Sequence, residues 1–179
     1  MRTLNLKTAE LSRRFIWGTE ETGFIEFDSK RFASLSDLHL IGQKLCIRAV
    51  SDNISLVFTS GIDGQQTNSG VQHFSDGDKR VYDKKCLQLV QTTTQSRIDF
   101  VINLVHTLYK NGKELSECGK ISQDRRQVFV EYAITLNKGE ELIIEKLATI
   151  HTSRDREWLS GEYSLSGLKE RSWSELIEK

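Results

Sequence analysis

Proline is absent from all 179 residues. Ordinary usage is about 5%, so every turn of this chain is made with glycine, asparagine, aspartate or serine. Cysteine is scarce: Cys46, Cys86 and Cys118 are odd in number and widely spaced. No CxxC spacing occurs, which excludes a zinc ribbon and a disulfide framework and fits a reducing, cytoplasmic compartment. No apolar run approaches a membrane span. The start of the chain, Met1 to Lys7, has neither a long apolar stretch nor a small-residue cleavage site. A secretion signal is therefore not expected.

Charge of one sign is missing too. Lys plus Arg and Asp plus Glu are 25 each, giving a formal net charge of zero. Acids and bases interleave along the chain, as in Asp78-Lys79-Arg80. Nucleic acid and anionic membrane surfaces are excluded as partners on this ground.

What is present is strand patterning. Phe15-Ile16-Trp17 and Phe24-Ile25-Glu26-Phe27 flank a turn bounded by Gly18 and Gly23, which predicts a hairpin. Leu45, Ile47 and Ala49 alternate with polar positions, and Ser51-Asp52-Asn53 leads into Ile54, Leu56 and Phe58, which predicts a second hairpin. The stretch Thr59 to Gly77 holds several glycines and many hydrogen-bonding side chains and reads as one long loop. Cys86 to Thr92 reads as a strand, and Ile98 to Val105 as a central one covered on both faces. Asn111-Gly112 is a strong hairpin turn. Val128–Ile134 and Leu142–Ile150 are further strands, joined through Asn137-Lys138-Gly139-Glu140. About eight to ten strands at this spacing predict an all-β, antiparallel β-sandwich. Helix is expected only at the end of the chain, where Ser172-Trp173-Ser174-Glu175 has capping-box spacing and Trp173, Leu176 and Ile177 share a face with no evident partner.

Chemistry is sparse. The histidines His39, His73, His106 and His151 share no metal-ligand spacing, and no metal site is assigned. No nucleophile-elbow motif accompanies the serines, so no catalytic residue is assigned. Most carboxylates alternate with apolar residues along strands and read as solvent-facing. Two segments carry concentrated polarity: the Gly61–Phe74 loop with Asp63, Asn68 and His73, and His151-Thr152-Ser153-Arg154-Asp155 at the end of an apolar strand. These are the substrate-entrance or interdomain candidates. They are expected at one end of the sandwich, with Asp63 and Arg154 able to bridge them and His73 and His151 able to cap that network.

Ser60-Gly61-Ile62-Asp63-Gly64 with Thr67 to His73, Arg31 to Leu40, and Glu145 to Asp155 resemble the N-terminal domain of glycoside hydrolase family 65, the family of the maltose, trehalose, kojibiose and nigerose phosphorylases. Arg2 to Leu6 resembles a strand just upstream. The resemblance implies a β-sandwich of the galactose-mutarotase-like supersandwich kind, a helical linker and an (α/α)6 barrel. It also implies inverting phosphorolysis of an α-linked glucose disaccharide, with inorganic phosphate as co-substrate, no other cofactor, and a homo-oligomer. Residues 1–165 correspond to a partial sandwich that lacks its first strands, and 166–179 to the start of the linker. The barrel with its general acid has no counterpart here. The expectation is a non-catalytic domain that packs on the barrel and shapes its entrance, with a free-standing carbohydrate-binding module as the alternative. Exposed aromatic platforms would mark the latter, and Trp17, Trp158 and Trp173 are the candidates.

Overall fold

A computed structural model describes residues 1–116, 119–156, 167, 168, 171, 173 and 176. Fourteen strands are formed among them: β1 Arg2–Asn5, β2 Glu10–Thr19, β3 Gly23–Ala33, β4 Leu40–Ala49, β5 Ile54–Asp63, β6 Thr67–Asn68 and β7 Val71–Gln72 come first. They are followed by β8 Asp78–Tyr82, β9 Cys86–Thr92, β10 Asp99–Lys110, β11 Lys113–Glu114, β12 Lys120–Asp124, β13 Gln127–Leu136 and β14 Glu141–Thr152. The large sheet runs β1-β2-β3-β4-β14-β10-β9-β8, with β11 hanging from β10, and a small sheet runs β12-β13-β5. All pairings are antiparallel. The architecture is an all-β sandwich.

Alternation explains the layers. Successive strand side chains face opposite ways, so Ile47, Leu142, Ile144, Leu104, Leu87 and Leu89 of the large sheet meet Ile54, Ile62, Val128, Val130, Tyr132 and Leu136 of the small one in a single buried cluster. The other face of the large sheet carries a second cluster, Leu40, Cys86, Val105 and Leu147, on which Leu168 and Trp173 lie. That is why β10, between β9 and β14, is buried on both sides along its middle: both of its faces are covered. Trp173 is only 4% exposed and meets the Phe32 ring edge-on at 5.0 Å. The C-terminal apolar face expected to lack a partner is thus seated on the chain's own sheet. Backbone at Gly167, Leu168, Trp173 and Leu176 is helical. Ile177 and Trp158 lie outside the described residues.

Two other expectations are corrected. β4 and β5 form no hairpin: β4 pairs with β3 and β14, while β5 pairs with β13 across the sandwich. Asn53, at φ 55°, turns the chain from one sheet to the other. Period-two patterning identifies both strands but is silent about which neighbour each one finds. The supposed loop from Thr59 is in part strand. β5 continues to Asp63 because Gly61 sits opposite Phe129, where any Cβ would collide with Val128 O and the Phe129 ring. The Asn111-Gly112 turn joins β10 to β11 as its sequence predicts, with both residues at positive φ.

Candidate functional site

The two polar segments meet at one end of the sandwich, around the turn between β9 and β10. On one side, Phe74 bridges to Thr93, Thr94 N–H donates to His73 O at 2.8 Å, and the Phe74 ring meets Phe100 edge-on at 5.3 Å. On the other side, Phe100 pairs with Thr152, and Ser153 N–H donates to Asp99 O at 2.9 Å. Strands β9, β10 and β14 therefore deliver both segments to the same rim.

The residues within each segment are held locally. Asp63 Oδ1 accepts from Gln65 N–H at 2.9 Å and from Gln127 Nε2 at 3.0 Å. Asn68 is exposed on the β6–β7 hairpin, opposite Val71. Asp155 Oδ2 accepts from Thr152 N–H at 2.6 Å and from Thr152 Oγ1 at 3.2 Å. The backbone bond from Thr152 is the main reason the Asp155 carboxyl is held below the usual carboxylate range, with smaller help from the nearby His39 and His151. Arg154 is exposed, and its N–H donates to Thr152 Oγ1 at 3.4 Å. Among the described residues Asp63 and Arg154 form no ion pair. Asp63 is engaged by Gln65 and by Gln127 of β13, so the expected bridge between the segments is not made through these two charges.

His151 joins a residue that spacing could not nominate. Its ring stacks on His39, with centroids 4.1 Å apart and planes at 20°. His39 Nδ1 pairs with Ile150 O at 2.8 Å and lies 3.9 Å from Asp155 Oδ2. Thr149 of β14 is directly opposite Leu40 of β4, and that register places His39 beside the end of β14. The only hint in the sequence was that His39 and His151 fall within two separately matched stretches.

The ligand atoms of His39, His151 and Asp155 lie within 4.8 Å of one another, close enough to suggest a metal. The ring geometry argues otherwise. An imidazole lone pair lies in the ring plane, and two nearly parallel stacked rings cannot aim theirs at one ion about 2.0–2.1 Å from each. Asp155 Oδ2 already accepts two bonds. In this arrangement the trio braces the His39 turn against the end of β14.

The second polar center is interior. His106 is wholly buried, and its Nε2 is 2.9 Å from Ser60 Oγ. Burial, reinforced by Lys146, pushes its pKa down to about 3, so it is neutral at ordinary pH.

The profile of the Glycosyl hydrolase family 65, N-terminal domain, matches residues 1–179. This chain belongs to that family. The family 65 domain is 36% identical over 157 residues to a kojibiose phosphorylase of Halothermothrix orenii, a match covering 88% of this chain and 20% of that enzyme. It is 27% identical over 169 residues to the Escherichia coli kojibiose phosphorylase, covering 94% of this chain and 22% of the relative. A solved structure from the human microbiome, described as a kojibiose phosphorylase, superposes with a TM-score of 0.82 at 16% identity, over 99% of this chain and 23% of that one. That last likeness speaks to the fold. The domain thus spans about a fifth of the length of the relatives it matches. Among its described residues no helix is long and apolar enough to cross a membrane.

Proposed function

We propose that this family 65 domain is the non-catalytic N-terminal part of an α-glucoside phosphorylase, packing on a catalytic (α/α)6 barrel and shaping its entrance. The supporting observation is the 36% identity to a kojibiose phosphorylase over 88% of the chain but only 20% of that enzyme. The remaining four fifths have to carry the reaction. The two segments that carry Asp63, Asn68, His73, His151, Arg154 and Asp155 meet at one rim, where Asp63 and Asp155 are held by neighbouring donors, which suits an interdomain edge better than acid–base catalysis. On this reading the substrate is an α-linked glucose disaccharide, inorganic phosphate is the co-substrate, residues 166–179 lead toward the barrel, and the enzyme is a homo-oligomer. Free thiols at Cys46 and Cys86 accord with a cytoplasmic setting.

The test is reconstitution. Purified chain alone should release no glucose 1-phosphate from kojibiose, whereas chain joined to the remainder of the Halothermothrix orenii enzyme should. Phosphorolysis by the chain alone, or an inactive and unassociated hybrid, would overturn the proposal. A second reading, a carbohydrate-binding module, draws support from Trp17, which is 64% exposed on β2. Quenching or enhancement of its fluorescence by kojibiose or maltose would favour that reading.

A further inference from the structure

The two faces of β1 to β4 and β14 treat charge in opposite ways. Residues directly opposite one another on paired strands share a face, so the registers assign every side chain. On the outer face Arg14 pairs with Asp28 at 2.7 Å, Lys30 with Glu10 at 3.2 Å, Lys44 with Glu145 at 2.9 Å and Arg48 with Glu141 at 2.9 Å. The inner face of the same five strands bears Arg2, Arg13, Arg31 and Lys146 and not one carboxylate. None of these four cations forms an ion pair among the described residues. Arg2 and Arg13 are directly opposite each other, a like-charge pair that costs stability when nothing neutralises it. Burial holds the Lys146 ammonium below its ordinary pKa.

On β3, β4 and β14 this face carries Ile25, Ile47, Ala49, Leu142 and Ile144 into the buried core, whereas Arg2, Leu4, Arg13, Trp17 and Arg31 on β1 to β3 are exposed. β13 packs on β9 and β5 on β9 and β10, the buried core between the sheets reaches across β14 and β4 to Ile25 of β3, and the large sheet continues beyond it through β2 to β1. β1 and β2 contribute nothing to the buried core. Leu4 is 56% and Trp17 64% exposed there, and the Arg13 guanidinium rests on the Phe15 ring at 4.6 Å. Among the described residues β5 pairs with β13 alone, which leaves its other edge open, and Ile54 at its start lies against Gly23 at the start of β3. An edge strand is a template for another strand.

We propose that the inner face of β1 to β3 is a docking surface for an extended polypeptide segment of alternating apolar and acidic residues, which adds to the free edge of β5. Its main chain would pair with β5, its apolar side chains would cover Phe15, Trp17 and Phe27, and its carboxylates would meet Arg2, Arg13 and Arg31. The exposed mixture of Trp and Arg is that of a protein contact. A second copy docked by the same face across a two-fold axis is disfavoured, because it would set the arginines against themselves. The inference stands whether or not the domain also packs on a barrel.

The test uses the purified chain and two synthetic peptides of about ten residues, one alternating valine and tyrosine with glutamate, the other with lysine in place of glutamate. Binding is read by Trp17 fluorescence, with Trp17→Phe as control, and by amide exchange in β5. The acidic peptide should bind and protect β5. Arg13→Glu should weaken that binding about tenfold or more, equivalent to at least about 1.4 kcal/mol, and improve binding of the lysine peptide. Arg13→Gln provides a milder variant, and an unchanged melting transition verifies folding of both. Equal binding of the two peptides, no binding of the acidic one, or binding without β5 protection would each overturn the proposal. So would a dimer in sedimentation that Arg13→Glu dissociates, or a Trp17 response to inorganic phosphate or kojibiose equal to that of the acidic peptide.

Discussion

His39 and His151 stack ring on ring, 4.1 Å between centroids, and in doing so tie the turn before β4 to the end of β14. With the bond from Asp99 N–H to Ser153 Oγ at 3.0 Å, this contact links side chains of the C-terminal polar segment to the neighbouring strands. Stacked aromatic pairs contribute about 0.5–1.5 kcal/mol beyond their buried area. A double-mutant cycle of His39→Ala and His151→Ala, followed by chemical denaturation, should return a coupling energy in that range. Strict additivity would show the stack to be incidental.

His106 should make stability depend on pH. Its folded pKa, about 3, lies below its ordinary value of 6.5 because burial disfavours the charged ring. Between these values the unfolded chain binds the proton and the folded chain does not, so stability rises with pH. The contribution is complete above about pH 6.5 and is lost progressively as pH falls toward 3. His106→Leu should flatten this slope, and the stability difference between wild type and variant should shift by at least about 1 kcal/mol across the window. Parallel curves would refute the assignment.

Trp173 and Trp17 should behave oppositely. Trp173 is 4% exposed against Phe32 and Leu168. Trp173→Ala should cost about 3–5 kcal/mol, as large buried aromatics do. Trp17→Ala, at 64% exposure, should stay within about 0.5 kcal/mol. Thermal melts of the two variants check both statements.

Cys46 should be a slow thiol. Burial first, and then its hydrogen bond to Glu141 Oε2 at 3.1 Å, raise its pKa to about 12. Thiolate is the reactive form, so alkylation by iodoacetamide near neutral pH should be slow in a chain whose other cysteines are serine. Glu141→Gln removes the carboxylate and should speed the reaction several-fold. An unchanged rate would mean that burial alone governs the thiol.

The kinetic meaning of the rim is open to one further measurement. In a full-length relative carrying this domain, Asp63→Ala or His151→Ala should alter disaccharide KM or kcat if the rim faces the barrel entrance. Lowered stability with unchanged kinetics would assign these residues to bracing alone.

The sequence by itself determined the secondary structure class and much of the core. Period-two alternation set Ile47, Leu142 and Ile144 on a buried face, the apolar run of β10 announced a strand covered twice, and Asn111-Gly112 dictated its turn. These are local properties, decided by neighbours along the chain. Strand partnership is not local. Ser51-Asp52-Asn53 reads the same whether β4 and β5 pair or part, and only the fit of β5 against β13 sends it to the other sheet. The site followed the same rule. Polarity marked the Gly61–Phe74 and His151–Asp155 segments, but which side chains meet there depends on register: β4 against β14 for the stack of His39 on His151, and β5 against β13 for the bond from Gln127 to Asp63. So does the sorting of acids to one face and unpaired arginines to the other. Alternation along each strand makes two faces, and pairing across strands decides which charges meet.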